Sequence, residues 1–138
     1  MIKLSRMSDY AVVVLETLAR QDTSLSASQI ATAIKLPEPT VAKVLKQMAT
    51  GGLVTSSRGV NGGYTIARPA NQITVFDIVS VIEGRVSLTA CVDGDHEPCA
   101  LSGGCAMNGR WEVVNSAVKK AFESITLADM MTKKREVA

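Results

Sequence analysis

The stretch Cys91-Val-Asp-Gly-Asp-His-Glu-Pro-Cys99-Ala-Leu-Ser-Gly-Gly-Cys105 sets the strongest limit on how this chain folds. Gly94, Gly103, Gly104 and Pro98 oppose both helix and strand. Val92 and Leu101 are the only large apolar residues between the first and last cysteine. The stretch cannot bury itself, so regular structure is expected on either side of a long loop. Such a loop is unusual in a compact domain unless it is functional or disordered. All three cysteines lie in it, spaced Cys-x7-Cys-x5-Cys. Three thiols offer the loop a way to order, by folding around a metal centre.

The rest of the chain has ample material for a core. Its 138 residues are 46% hydrophobic but only 4% aromatic. That length fits one domain, or a small domain with an appendage. Aliphatic packing of this kind suits helices on helices. No apolar run approaches the ~18–20 residues that span a bilayer, so no membrane partner is expected. The N-terminus lacks the layout of a secretion signal. The expected location is therefore the cytoplasm, where thiols stay reduced. An odd number of cysteines also fits a disulfide framework poorly. Charge is uneven: residues 1–68 carry eight Lys/Arg against four Asp/Glu, and residues 69–138 carry seven against nine. A basic first half beside an acidic second half points to a part that faces nucleic acid.

Val12, Leu15, Leu18 and Ala19 recur at helical spacing and predict a first helix over about 8–21, capped by Ser8 or Ser5. Ser26-Ala-Ser-Gln29 is a capping-box pattern that opens a second helix through Ile34. Leu36-Pro37 ends it, and Glu38-Pro39 starts a third running to about Thr50. Val41, Val44, Leu45 and Met48 form the buried stripe of that helix. Thr40, Lys43, Lys46 and Gln47 fall on the other face. Strands are predicted over Leu53–Arg58 and Tyr64–Ala67, with Asn61-Gly62 as a hairpin signal between them. Thr74 is positioned to cap a fourth helix that ends at Gly84. Beyond the cysteine loop, Trp111, Val114, Val118, Ala121 and Ile125 step by 3, 4, 3 and 4 along a long helix over about 109–124. Phe122 widens that seam. Residues 126–131 are expected to add a short helix.

Two helices joined by a tight turn and followed by a hairpin describe a winged helix-turn-helix. The fold class expected is mainly α with a small β-hairpin: a winged helix-turn-helix domain plus a long dimerisation helix. The expected divisions are 1–83 for the DNA-binding domain, 84–107 for the cysteine loop, 108–131 for the dimerisation and short C-terminal helices, and 132–138 for a tail. The third helix would enter the major groove. The glycine-rich hairpin would let Arg58 reach a phosphate or a narrow minor groove. The seam on the long helix calls for a partner surface, and a second copy gives a two-fold dimer.

Several segments resemble the IscR/NsrR/RirA-type regulators, the Rrf-two family. These are the opening Leu4-Ser-Arg-Met-Ser-Asp-Tyr-Ala-Val, the wing Gly52-Leu-Val-Thr-Ser-Ser-Arg-Gly-Val-Asn-Gly-Gly-Tyr64, the three-cysteine loop followed by Trp111, and Ile125-Thr-Leu-Ala-Asp129. Within that family the chain looks most like the regulators of the SUF iron–sulfur assembly operon. The resemblance implies a homodimer that binds a palindromic double-stranded DNA operator and carries a [2Fe-2S] or [4Fe-4S] cluster. It implies Cys91, Cys99 and Cys105 as cluster thiolates. Pro39, Thr40 and Lys43 would read bases beside Lys46, and Arg58, Gly59, Val60, Asn61 and Gly62 would form the wing contact.

The fourth ligand departs from one family pattern, because Asn108 stands where the iron–sulfur biogenesis regulator has a histidine. Asp9, donated by the partner subunit, matches the position used by the nitric-oxide sensor. His96 is the runner-up, since imidazole suits iron. Three thiolates and one weaker ligand leave an iron open to attack, as a sensor requires. Zinc competes for thiolates, but its structural sites favour Cys-x2-4-Cys pairs. A thiol- or zinc-dependent redox repressor, or a nitric-oxide-responsive one, remains the alternative reading on this fold. A cysteine-dependent oxidoreductase is remote, because the chain lacks Cys-x-x-Cys and its only histidine is His96. The chain is accordingly not expected to be an enzyme.

Overall fold

Ser5, in extended conformation, opens the first helix α1, Arg6–Ala19, by accepting from the Ser8 N–H at 3.3 Å. The helix therefore starts two residues before the expected Ser8. Its buried stripe is Ala11, Val14, Leu15 and Leu18, while Val12 and Ala19 are only half-buried. Ser26 and Gln29 form the expected reciprocal cap on α2, Ala27–Ile34. Lys35 then turns into the left-handed region with φ 58°, which a non-glycine residue adopts at some cost. Pro37 precedes α3, Glu38–Thr50, and Val41, Val44, Leu45 and Met48 are its buried face, as the spacing predicts. The end of α3 lies hard against α4, Val75–Glu83: a Cβ on Gly51 would meet the Val81 side chain at 2.5 Å.

The computed structural model describes residues 2–93, 99–101 and 103–132. His96 and the tail beyond 132 lie outside them, as do Gly94 and Pro98.

Strands β1, Val54–Ser57, and β2, Gly63–Ile66, pair antiparallel with Val54 opposite Ile66 and Ser57 opposite Gly63. The first is shorter than the predicted Leu53–Arg58 by one residue at each end, and the second is shifted one residue towards the turn from the predicted Tyr64–Ala67. A third strand-like partner was not evident in the sequence. Leu25 bridges Tyr64, its N–H donating to the Tyr64 carbonyl at 3.0 Å and its carbonyl accepting in return at 2.7 Å. Gly63 makes this approach possible, since a Cβ there would lie 2.6 Å from the Leu25 carbonyl oxygen.

A 3-10 turn, Ala70–Gln72, leads into α4, whose Thr74 and Asp77 cap each other reciprocally. The same device caps α7, Leu127–Met131, through Thr126 and Asp129. The two caps are stitched together. Val75 N–H donates to the Ile125 carbonyl at 2.9 Å, and Leu127 N–H to the Ile73 carbonyl at 2.8 Å. Leu127 and Ile73 are fully buried in one core with Leu15, Leu18, Ile30 and Leu45. Residues from the far end of the chain thus complete the core that holds α1 to α3. Burial of an aliphatic side chain of this size is worth ~1.5–3 kcal/mol.

The segment after Gly84 is irregular until a single helical turn, α5, Ala90–Asp93, which carries Cys91. The cysteine stretch is therefore not loop throughout: its first residues, Cys91 to Asp93, wind into this turn. The long helix α6, Trp111–Glu123, packs on α4. Trp111, Val114, Ala121 and Ile125 are exposed along the expected seam. Val118 and Phe122 do not join that seam. Both are half-buried on the other side, lining a groove with Leu4 and Val79. No helix is long and apolar enough to cross a membrane among the described residues.

Candidate functional site: a three-cysteine cavity and a nucleic-acid face

Cys91, Cys99 and Cys105 all line one cavity of about 220 Å³. Its other walls are Thr89, Ala90, Leu101, Met107, Asn108 and Trp111. Three chain segments meet there: the turn at α5, the loop on both sides of Cys105, and the start of α6. The three thiols are free and partly exposed. The Thr89 hydroxyl lies 3.1 Å from Cys91 Sγ. That contact, with the backbone N–H groups of Gly109 and Cys91 itself, holds the Cys91 thiol below its ordinary pKa. A thiol that ionises readily is the better nucleophile and the better metal ligand. Among the described residues, no three His, Cys, Asp or Glu side chains converge on a single ion position. The donor set fits an iron–sulfur cluster in chemistry: soft sulfur donors, a largely apolar wall, and a shared cavity rather than separate surfaces.

The cavity is braced from α6. Asn115 is fully buried, with 0% exposure. Its Nδ2 donates to the Val86 carbonyl and its Oδ1 accepts from the Leu88 N–H, both at 3.0 Å. Sequence reasoning missed this residue. The apolar steps of α6 read as one seam that includes Val118 and Phe122, and that seam does not single out Asn115. Its spacing of three residues to Val118 and seven to Phe122 is the signal that could have found it.

Asp9 is exposed on the first turn of α1. It lines a different groove, with Ser5, Ser8, Val12, Val75 and Ile78, and is not brought to the cysteines of its own chain. Asn108 does line the cysteine cavity. His96 is outside the described residues.

The candidate nucleic-acid face lies at the other end of the chain's first half. Pro39, Lys43 and Lys46 are exposed on α3, and Thr40 is half-buried. In the hairpin, Arg58, Gly59, Val60 and Asn61 are exposed and Gly62 is half-buried. The hairpin tip is strutted: the Ser24 hydroxyl donates to the Asn61 carbonyl at 2.8 Å. With the Leu25–Tyr64 bridge, this fixes the wing against the segment before α2. Ser24 is a second residue missed from sequence, because a lone serine before a capping box carries no sign of a contact so distant in the chain.

The comparisons agree with this architecture over nearly the whole chain. The structure of CymR, the global cysteine regulator of B. subtilis, superposes with a TM-score of 0.73 at 30% identity, covering 96% of this chain and 98% of that one. T. potens IscR superposes with a TM-score of 0.69 at 29% identity, covering 99% and 93%. The HTH-type transcriptional regulator NsrR of Oceanobacillus iheyensis is 28% identical over 141 residues, which is 99% of this chain and 94% of that protein. Residues 4–133 match the family model described as iron-dependent transcriptional regulator. With its winged helix, hairpin and three-cysteine cavity, the chain belongs to the Rrf2 family of transcriptional regulators, which are not enzymes.

Proposed function

We propose that this protein is a cytoplasmic, homodimeric repressor that binds a palindromic operator and senses iron–sulfur status through a cluster held by Cys91, Cys99 and Cys105. The observation that carries this reading is the opening of all three cysteines into one cavity. The family description, iron-dependent, supports iron over zinc. The Cys-x7-Cys-x5-Cys spacing supports the same choice, since structural zinc favours closely paired cysteines. A cluster bound here would supply an iron that is open to oxygen or nitric oxide. The fourth ligand in this reading is the partner subunit's Asp9, with Asn108 too weak a donor to replace it.

In the dimer, the exposed seam from Trp111 to Ile125 meets its copy. The Lys43 side chain reads bases in the major groove. Lys46 and Arg58 neutralise phosphate, and the rigid tip at Val60 and Asn61 enters the minor groove. Ordering of the cysteine arm is transmitted through α4 and α6 to the spacing of the two reading heads. An effect of ~1–3 kcal/mol is sufficient for regulation of this kind. Anaerobic purification with iron and sulfide counts tests the reading. Equal iron and acid-labile sulfide with visible sulfide-to-iron absorption are expected.

A second reading keeps the fold and the operator but makes the thiols themselves the sensor. The lowered pKa of Cys91 favours it. Colourless protein in which oxidant forms a reversible disulfide and changes DNA affinity would select it instead.

A further inference from the structure

We propose that Asn115 is a positioning residue: by clamping Val86 and Leu88 onto α6 it fixes the arm that presents Cys91 to the cavity, and so sets how firmly the three thiols are held together. This rests on the reading of that cavity as the sensing site.

The chemistry of the clamp is specific. A carboxamide offers a donor and an acceptor at once, as a peptide group does. Asn115 uses both ends, on the Val86 carbonyl and the Leu88 N–H. Between Glu83, where α4 ends, and Ala90, where α5 begins, the arm has no regular structure to satisfy its backbone. Peptide groups withdrawn from water without partners are costly, and Asn115 supplies partners to two of the arm's, at Val86 and Leu88. One residue past the clamp, Thr89 touches Cys91 Sγ at 3.1 Å. One helical turn before Asn115, Trp111 lines the cavity from the other side. The amide therefore joins two of the cavity's walls. An aliphatic residue at this position would offer the arm neither a donor nor an acceptor. A fully bonded buried amide gives a unique register that apolar packing does not.

The placement also divides α6 into two faces with separate work. Asn115, Val118 and Phe122 turn towards the protein, and Trp111, Val114, Ala121 and Ile125 carry the exposed seam. Any shift of the arm is delivered directly to the helix that presents the proposed dimer face.

The test uses the full-length, reduced, metal-free protein, with amide hydrogen exchange over residues 84–92 followed by mass spectrometry. Asn115→Asp keeps the acceptor for Leu88 and loses the donor to Val86. Asn115→Ala loses both. Exchange over residues 84–92 should be about tenfold or more faster in both variants than in wild type, as local opening becomes easier. Leu127→Ala serves as the control for general destabilisation, and it should leave this exchange within about twofold of wild type while the fold persists. Equal exchange in all folded variants overturns the proposal. So does acceleration no greater than in Leu127→Ala. Loss of the winged-helix fold in both Asn115 variants also overturns it, because Asn115 would then be a general core residue. Failure of wild-type protein to take up iron and sulfide would sink the cluster reading alone, since this experiment is read on the metal-free protein.

Discussion

The carboxylate of Glu83 accepts the Ser8 hydroxyl at 2.7 Å and the Ser5 backbone N–H at 2.6 Å, so the last residue of α4 holds the first turn of α1. The first N–H groups of a helix lack internal partners, and a carboxylate there also meets the positive end of the helix dipole. These contacts, the Ser8 hydroxyl first, hold the Glu83 carboxyl below its ordinary pKa against the opposing effect of burial. The consequence is a junction between the helix that leads into the cysteine arm and the helix that carries Asp9.

Loss of the Glu83 contact should be felt as pH-dependent stability. A group whose folded pKa is depressed stabilises the fold above its unfolded pKa, near 4.5 for this carboxyl, and that contribution fades as pH falls through the folded value. Urea unfolding of Glu83→Ala at pH 7 should show a loss of about 1 kcal/mol, modest because the contact is partly exposed. The difference from wild type should shrink as pH is lowered well below 4.5. A difference that stays constant with pH would show that packing, not charge, is responsible.

Leu127→Ala should cost ~2–5 kcal/mol of unfolding free energy. Leu127 is fully buried with the α1 core although it lies beyond α6. A loss under 1 kcal/mol in chemical denaturation would mean that α7 is an appendage.

Ser24→Ala removes the strut on the Asn61 carbonyl and should leave unfolding within about 1 kcal/mol of wild type. Operator affinity should nevertheless fall several-fold, with reduced minor-groove protection in footprinting. Unchanged protection would show that the wing does not need the strut.

Arg58→Ala should weaken binding to all sequences and lower the salt slope by about 1, as expected for one lost phosphate contact. Lys43→Ala should instead shift base preference at one position of each half-site. Titrations across salt concentrations separate the two, and equal salt slopes in wild type and Arg58→Ala would remove Arg58 from the DNA contact.

The legible parts of this chain were those in which local chemistry and tertiary packing agree. Ser26 with Gln29, Thr74 with Asp77 and the stripe Val41–Met48 were readable because caps and stripes are set within a few residues. The wing was readable from Asn61-Gly62 and the winged-helix class from its order in the chain. The cysteines were visible by count and spacing. Less visible were contacts that join distant segments: Leu25 to Tyr64, Ser24 to Asn61, Glu83 to Ser8, and Asn115 to Val86 and Leu88. None of these alters periodicity. Val118 and Phe122 were misassigned for a related reason, since an apolar residue beside a seam fits either face until the neighbouring helix is placed.

The most direct measurement of the central claim is operator binding under strictly anaerobic conditions by wild-type protein and by the variant with Cys91, Cys99 and Cys105 all changed to serine. The account predicts a coloured wild type with iron and sulfide bound, a colourless variant, and operator affinities that differ by about 5–150-fold. Two colourless proteins with the same operator affinity would contradict it.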